Sequence, residues 1–280
     1  MNLQTYVSFL EQNCGRVFCF KSVPFYEYRK GFVWSVPQFN SCDLRKEELQ
    51  NLVWRKAVGI TYTSQTYGCK PVEFWIRTTP YDIASVHPKK RTQIRRGIER
   101  CKLELADWGL IKTEGLAMNR ESLKRQGRKS GRLDNYKWWN QYCNISEKFE
   151  DVLAWCAFVE NNVANYEYVI IHDDIIIDGV KSRVGNLVHT GSFSKYLARN
   201  SELGKYFPNE ALIYYVTRSL FEDYKCDYVI AGLRSFDSGL ERWKGHMGFE
   251  LKTLQQNTLS NPLLKFVKPF VPKLRKFMKE

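Results

Sequence analysis

Residues 243–246 read Trp-Lys-Gly-His and combine side chains that could carry out group transfer. Lys244 beside Trp243 could stabilise an oxyanion or a phosphate, because a lysine ammonium is a compact positive charge. His246 is a candidate base, and Glu241 is a weaker one. The same sequence would also arise if Lys244 were an ordinary exposed lysine on a helix and His246 a structural histidine, so these alternatives stay open. The chemistry open to these residue types is group transfer by positioning; acyl transfer to an amine, for example, needs only an oriented donor and stabilisation of the oxyanion.

The segment 88–105 is the most basic part of the chain, and Glu99 is its single acid before Glu104. Its bases are Lys89, Lys90, Arg91, Arg95, Arg96, Arg100 and Lys102. The apolar residues predicted to form one buried helical stripe are Ile94, Ile98, Cys101 and Leu105. Because neighbouring basic side chains repel one another, a bound polyanion would reduce the electrostatic repulsion in this segment. We expect Arg95 and Arg96 to hold an anionic acceptor; a solvated basic face is the alternative.

Three basic residues, Lys195, Arg199 and Lys205, precede a predicted helix start. Pro208 followed by Asn209 and an acid is typical of a first helical turn. Free backbone N–H groups at such a start attract phosphate. Lys195, Arg199, Lys205 and Asn209 are therefore the candidates for binding a phosphate-bearing donor, and the alternative is that Pro-Asn is simply a good cap.

Several well-known catalytic and metal-binding patterns are missing from the sequence. It has no nucleophile elbow, no phosphate-binding Gly-x-x-x-x-Gly-Lys-Ser/Thr loop and no His-x-x-x-His pair. None of its eight cysteines form Cys-x-x-Cys, and it has four histidines, so a structural zinc site is not expected. We expect no metal, and group transfer by positioning remains as the reaction class.

The elements that must position these residues lie mainly in the second half of the chain. Two apolar runs, 152–159 and 163–171, flank a turn and predict a hairpin. A third strand, 186–190, is expected after the turn at Asp178 and Gly179.

The end of this half is predicted as a closing strand, helix and strand. A helix from residue 208 leads to a buried strand at 228–232, because five apolar or small residues stand in a row there. A short helix at 240–247 carries Lys244. Gly248 can adopt the left-handed conformation that ends a helix and leads into a strand at 249–254.

The remaining chain divides into an aromatic-rich first part and a basic tail. We place the boundary between two halves near residue 117, which gives predicted domains 1–117, 118–258 and a tail, 259–280. The tail alternates bases with apolar residues and could rest on anionic lipid. Packing on its own domain is the alternative.

Composition limits the class of protein. The chain has 280 residues, 44% hydrophobic, with a formal net charge of +13, so it can form one large core or two modest ones. The charge favours a phosphate-rich or carboxylate-rich partner, namely a nucleotide-bearing donor, tRNA or an anionic membrane. No apolar run approaches eighteen residues and no signal peptide is evident, so we expect a cytoplasmic protein. The tail is the part of the chain that could contact the inner face of the membrane.

Three short motifs resemble those of a known family. They are Trp243-Lys244-x-x-x-Gly248-Phe249, the basic run 91–97, and Pro208-Asn209-x-x-Leu212. Together they resemble the Fem-type peptidoglycan aminoacyltransferases and their BioF2-like relatives, a subgroup of the GNAT acyltransferases. The resemblance covers roughly residues 90–252.

The resemblance implies an α/β (α+β) fold, with a GNAT-like mixed sheet flanked by helices. It implies two GNAT-like halves, the first degenerate and the second carrying the site in the cleft between them. It also implies Lys244 as the family's lysine. The sequence departs from the family in lacking the usual coenzyme A loop before Pro208 and the coiled-coil arm of several tRNA-dependent members.

We therefore expect an N-acyltransferase that moves an acyl group from acyl-CoA to an amine of an amino sugar or cell-envelope precursor. The acceptor would be a small or lipid-linked molecule. Two alternatives remain: a Fem-type enzyme that uses aminoacyl-tRNA, and a non-catalytic nucleic-acid-binding protein, which the charge and aromatic content would suit.

Overall fold

The computed structural model describes residues 1–261 except 43, 65–67, 69, 129–131, 198–201 and 236. The helices are α1 Leu3–Cys14, α2 Lys46–Arg55, α3 Pro88–Arg100, α4 Trp108–Leu110, α5 Leu116–Arg125, α6 Tyr136–Ser146, α7 Pro208–Glu222 and α8 Ser238–His246. The strands are β1 Val17–Phe20, β2 Val23–Arg29, β3 Phe32–Ser35, β4 Gly59–Ser64, β5 Lys70–Thr78, β6 Lys102–Leu105, β7 Val152–Val159, β8 Asn162–Ile177, β9 Val180–Ser192, β10 Tyr228–Leu233 and β11 Glu250–Ser260. None of the described helices is long and apolar enough to cross a membrane.

The chain forms two compact units. The first comprises Met1–Asn13, Glu73–Ile175 and Lys181–Lys252, and the second contains Cys14–Val72, Ile176–Val180 and the chain from Thr253. This division concerns compactness rather than repeated halves, so the predicted boundary near residue 117 stays a prediction. The tail prediction for 259–280 falls almost wholly outside the described residues.

The first unit contains a mixed sheet with strand order β5-β10-β9-β8-β7-β6. Strand β10 runs antiparallel to β5 and parallel to β9, whereas β7 is antiparallel to both β8 and β6. Val169 of β8 packs in the core with Leu212 of α7, and the preceding residue, Tyr168, stacks on Tyr142 of α6. Because consecutive strand residues point to opposite faces, helices α7 and α6 cover opposite faces of the sheet. The predicted mixed sheet flanked by helices is confirmed.

The second unit has strands in the order β1-β2-β3-β4-β11, with α2 beside them. Strands β3 and β4 are parallel, and the other pairs are antiparallel. Phe25, Leu49 and Ile60 are fully buried in its core. None of the predicted site residues lies in this unit.

The hairpin and the closing unit follow the sequence expectations, with longer strands. Strand β8 continues to Ile177 and β9 begins at Val180, so the predicted strand 186–190 is the far end of a longer one. Asp178 and Gly179 both have positive φ, as a tight hairpin turn requires. Gly248 has φ +86 and ends α8 in the left-handed conformation that we expected.

The predicted apolar stripe of α3 is wrong at two positions. Ile98 is 44% exposed, and Leu105 lies in β6 and is 49% exposed, because the helix ends at Arg100. The helix instead packs on α7 at Gly97, where an added Cβ would lie 2.6 Å from the Cβ of Ala211. That close approach fixes the helix's orientation. The buried stripe is Lys90, Ile94, Gly97 and Cys101.

Candidate active site

Strands β9 and β10 part within the sheet of the first unit. They pair in parallel from Val184 and Tyr228 to Asn186 and Ile230. Beyond these residues both strands continue, but no further pair joins them in the described part of the chain. Strand β10 stays attached to β5, with an irregular register before Leu233. The parting exposes strand ends inside the sheet, which is where a substrate can enter an α/β fold.

Strand β9 changes the direction of its side chains within this stretch. An added Cβ on Gly185 would meet Leu220 of α7, whereas one on Gly191 would meet the ring of Tyr166 on the α6 side. Six residues apart, the two glycines would face the same side in a regular strand. The strand must therefore contain an irregularity between them, as β-bulges introduce. The irregularity turns Thr190 toward the α7 side.

Lys244 is brought to the parted strands by α8. The helix begins after Asp237, whose carboxylate accepts hydrogen bonds from the backbone N–H groups of Gly239 and Leu240. The Lys244 side chain is 8% exposed, and its Nζ donates to the carbonyl of Leu233 at 3.4 Å. It is therefore not the exposed helical lysine that was the alternative.

The surroundings of Lys244 weaken its preference for the charged form. Burial lowers the pKa of its ammonium group, and the nearby carboxylates of Glu241 and Glu167 act in the opposite direction. The ammonium form of a lysine in such surroundings is a strong hydrogen-bond donor.

Glu167 lies in the middle of β8 and is 0% exposed. Burial raises the pKa of its carboxyl group to about 8, against the opposing effects of the Thr190 hydroxyl and of Lys244. Thr190 Oγ1 donates to Glu167 Oε2 at 2.5 Å, and Glu167 Oε1 has no hydrogen-bond partner among the described residues. We did not select Glu167 from the sequence, although an acid inside the apolar run 163–171 was a usable signal.

Glu241 supports the loop that precedes α8. Its Oε1 accepts hydrogen bonds from Trp75 Nε1 at 3.0 Å and from the backbone N–H of Ser235 at 2.9 Å. Burial pushes its pKa upward, but the hydrogen bonds from Ser235 and Trp75 and the charge of Lys244 outweigh burial and lower it. Glu241 is thus held in the ionised form, which suits it to positioning better than to accepting a proton.

Trp243 and His246 are engaged by neighbouring residues. Trp243 Nε1 donates to Glu210 of α7 at 3.4 Å. The ring of His246 stacks on His87, with ring centroids 4.2 Å apart. Burial, followed by the charges of His87, Lys90, Arg242 and Lys89, lowers the pKa of His246. The predictions of a substrate-binding Trp243 and a catalytic His246 stay predictions.

The predicted anion-binding residues are spread over the first unit. Arg95 and Arg96 are exposed on α3. Lys195 is exposed near the rings of Phe193 and Tyr196. The Nζ atom of Lys205 lies 3.8 Å from Oε1 of Glu202. Arg199 lies outside the described residues. Their roles in anion binding stay predictions.

Asn209 has a structural task at the start of α7. Its Oδ1 accepts hydrogen bonds from Asn165 of β8 at 2.8 Å and from Ser192 of β9 at 2.7 Å. These hydrogen bonds connect the start of α7 to two strands, so the Asn209 amide oxygen is already engaged within the protein and is not free to contact an acyl donor. Among the described residues, no cluster of three or more histidine, cysteine or acidic side chains could hold a metal ion.

These features define a class of fold. The GNAT architecture is a mixed sheet in which two neighbouring parallel strands part. A helix lies between these two strands in sequence, and a closing helix and strand follow them. No protein-family model matches the sequence, and no curated protein matches it.

Solved structures give the particular likeness within this class. The crystal structure of FemX matches with a TM-score of 0.57 at 10% identity, covering 88% of this chain and 86% of that chain. The C-terminal domain of a putative lysylphosphatidylglycerol synthetase from Agrobacterium fabrum matches with a TM-score of 0.56 at 9% identity, covering 91% and 87%. A GCN5-related N-acetyltransferase from Kribbella flavida is a weaker match, with a TM-score of 0.46 at 11% identity over 93% of each chain. On the first two of these matches the protein has a Fem-like fold, which agrees with the sheet and helices described above, and at these identities the likeness concerns the fold.

Proposed function

We propose that the protein is an N-acyltransferase that moves an activated acyl group to an amine on an amino sugar or cell-envelope precursor. The observation that supports this function is the buried Lys244 beside the place where β9 and β10 part. A buried cation at a strand opening is suited to an oxyanion, because low local polarity strengthens its attraction to developing negative charge.

The reaction requires positioning more than a reactive nucleophile. The acyl carbonyl would lie against Lys244 in the opening, with its oxygen toward Nζ. The amine would attack the carbonyl carbon, and the ammonium would stabilise the negative oxygen of the tetrahedral intermediate. This mechanism uses no covalent enzyme intermediate, which agrees with the missing nucleophile motifs.

Two acyl donors, acyl-CoA and aminoacyl-tRNA, suit this reaction, and the residues at the start of α7 favour one of them. Pro208 supplies no N–H there, and the Glu210 carboxylate already lies in the first turn, where it pairs with Lys90. A diphosphate would meet a carboxylate and one fewer donor at a helix start that usually attracts phosphate. This favours aminoacyl-tRNA, and acyl-CoA is the second candidate.

The names of the two solved structures suit the same reaction class. A lysylphosphatidylglycerol synthetase is named for joining lysine to a lipid, and the Fem type, which the sequence motifs resemble, consists of peptidoglycan aminoacyltransferases. We extend to this chain the transfer of an aminoacyl group to a small or lipid-linked amine. The net charge of +13 suits a tRNA or an anionic lipid surface.

The decisive experiment combines donor binding with a variant pair. Thermal shift with acetyl-CoA, CoA, uncharged tRNA and aminoacyl-tRNA identifies the donor, and transfer to an amino-sugar acceptor is then measured. Lys244→Ala should lose transfer while remaining folded, and Arg242→Ala, an exposed position on the same helix, should keep it. A protein that binds none of these donors contradicts the proposal. Binding of any RNA with a steep salt dependence and no need for Lys244 would favour the non-catalytic nucleic-acid binder.

The membrane prediction for the tail has its own test. Residues 262–280 lie outside the described part of the chain, so the prediction rests on the alternation of bases with apolar residues. Deleting 259–280 should abolish co-sedimentation with vesicles that contain phosphatidylglycerol. Unchanged co-sedimentation would reject membrane contact through the tail.

A further inference from the structure

Glu167 has an unusual place for a carboxyl group. Its side chain is completely buried in the middle of β8, and Lys244 is close enough to influence its ionisation. Buried carboxyl groups normally find partners for both oxygens, because an unpaired polar atom away from water is costly. Glu167 Oε2 accepts a hydrogen bond from Thr190, whereas Oε1 finds no partner in the part of the chain that the structure describes.

The free oxygen indicates the chemistry of a missing partner. An ionised Oε1 needs a hydrogen-bond donor, whereas a protonated Oε1 needs an acceptor. A neutral primary amine satisfies both conditions, since it donates through its N–H groups and accepts through the lone pair of its nitrogen. A purely structural glutamate would be replaced by glutamine without loss, because the amide oxygen could still accept the Thr190 hydrogen bond.

We propose that Glu167 binds the acceptor's primary amine and takes the proton that this amine loses on acylation. The proposal rests on the proposed function and adds to it the identity of the proton acceptor and the chemical class of the group it binds. Lys244 and Glu167 then divide the work, since one faces the oxygen of the acyl group and the other faces the attacking nitrogen.

The amine nitrogen attacks the acyl carbon and forms the C–N bond, and the bond from that carbon to the donor's oxygen or sulfur breaks. The proton leaves the nitrogen for Glu167 Oε1 and passes on to the departing oxygen or sulfur. The products are an amide and the free donor alcohol or thiol, and Glu167 returns to its ionised form.

Two groups on neighbouring elements set the ionisation of Glu167. Thr190 on β9 and Lys244 on α8 both favour the carboxylate, and burial opposes them. Catalysis by the carboxylate should therefore increase as the pH rises through about 8. Thr190 is a positioning residue, because it acts through its hydrogen bond to Glu167.

The test is the pH profile of transfer in matched variants. Glu167→Gln should lower kcat about 10²- to 10⁴-fold and remove the acidic limb of the profile. Thr190→Val should shift that limb to higher pH, because the carboxylate loses a donor, whereas Thr190→Ser should keep the limb of the native protein. A Glu167→Gln variant with native kcat and an unchanged profile would overturn the proposal, while Lys244→Ala separately decides the proposed function.

A binding measurement keeps the proposal testable if the donor is still unknown. Propylamine should raise the thermal midpoint of the native protein at pH 8, and n-propanol at the same concentration should not. The amine effect should be lost in Glu167→Gln and kept in Arg242→Ala. Equal stabilisation of the native protein and Glu167→Gln would refute amine binding at Glu167, even if acyl transfer proves correct.

Discussion

Among its described residues the first unit combines a buried lysine with a glutamate at two places, with Glu210 partly buried and Glu167 fully buried, and the two places differ in how the charges are paired. Lys90 of α3 pairs directly with Glu210 of α7, and Trp243 donates to the same carboxylate. Lys244 and Glu167 influence each other's ionisation, but Lys244 Nζ donates to a backbone carbonyl, and no described residue is a hydrogen-bond partner of Glu167 Oε1. The first combination is complete within the protein, whereas the second leaves groups available for a substrate.

This difference teaches how structural and reactive ionisable groups can be told apart. A paired buried charge stabilises one arrangement of helices and becomes costly when one partner is removed. A buried group that lacks a partner has a shifted pKa and is a candidate for catalysis. The following predictions test whether the contrast between the two combinations holds.

The largest effect is expected from breaking the complete pair. Lys90→Met should destabilise the protein by about 3–5 kcal/mol, because it leaves the Glu210 carboxylate buried without its cation. Urea unfolding measures this loss. The double variant Lys90→Met with Glu210→Leu should recover much of it, and a double variant as unstable as the single would show that the pairing is not the cause.

The next effect concerns the reactive lysine. Lys244→Met should lower transfer about 10²- to 10³-fold, since one stabilising donor to the oxyanion is lost. Its free energy of unfolding should fall less than that of Lys90→Met, because no buried salt bridge is broken. Steady-state kinetics and urea unfolding of both variants check the contrast, which fails if Lys244→Met is the less stable of the two.

A smaller effect should appear in the pH dependence of stability. The folded protein holds the Glu167 proton up to about pH 8, whereas the unfolded chain releases it near 4.5. The protonated group therefore stabilises the fold fully below pH 4.5, and this contribution is lost as the pH rises to about 8. Relative to Glu167→Gln, the native protein should lose on the order of 3 kcal/mol between pH 5 and pH 9.

Parallel stability curves for the native protein and Glu167→Gln would mean that Glu167 keeps an ordinary pKa. Urea midpoints at five or six pH values are enough to separate the outcomes. Glu241→Gln is the matched control, because the pKa of Glu241 is lowered and its contribution should change in the opposite direction.

The smallest effect is expected from the stacked histidines. The pKa of His246 is lowered, so its neutral form stabilises the fold above pH 6.5 and this contribution is lost as the pH falls. His246→Phe should keep the stacking with His87 and flatten the loss of stability below pH 6.5. The imidazole resonances of His246, followed by NMR, should titrate below those of an unfolded peptide, and a titration at or above that value would contradict the expectation.

The sequence alone predicted the elements whose signals are local. The hairpin around 160–162, the start of α7 at Pro208 and the left-handed Gly248 each depend on a few adjacent residues, and all are present. Lys244 could be selected by type and position, but its burial could not, because burial depends on strands that are distant in the chain.

The misses have a common physical cause. A search for apolar stripes counts side chains by hydrophobicity, so it passed over Lys90 and Gly97, which are buried by ion pairing and by close helix approach. It also passed over Glu167, since periodicity treats an acid in a strand as a position facing water. The unsatisfied oxygen, Glu167 Oε1, becomes evident only when β8, β9 and α8 are brought together in three dimensions.

The irregularity in β9 makes the length of that strand as important as its composition. Removing one residue between Gly185 and Thr190 would restore regular alternation and turn the Thr190 hydroxyl to the opposite side of the sheet. Glu167 would then lose the hydrogen bond from Thr190 without any change to either residue. A one-codon deletion in this stretch is thus expected to disable the site as surely as a substitution, and related sequences should be aligned with that extra residue in mind.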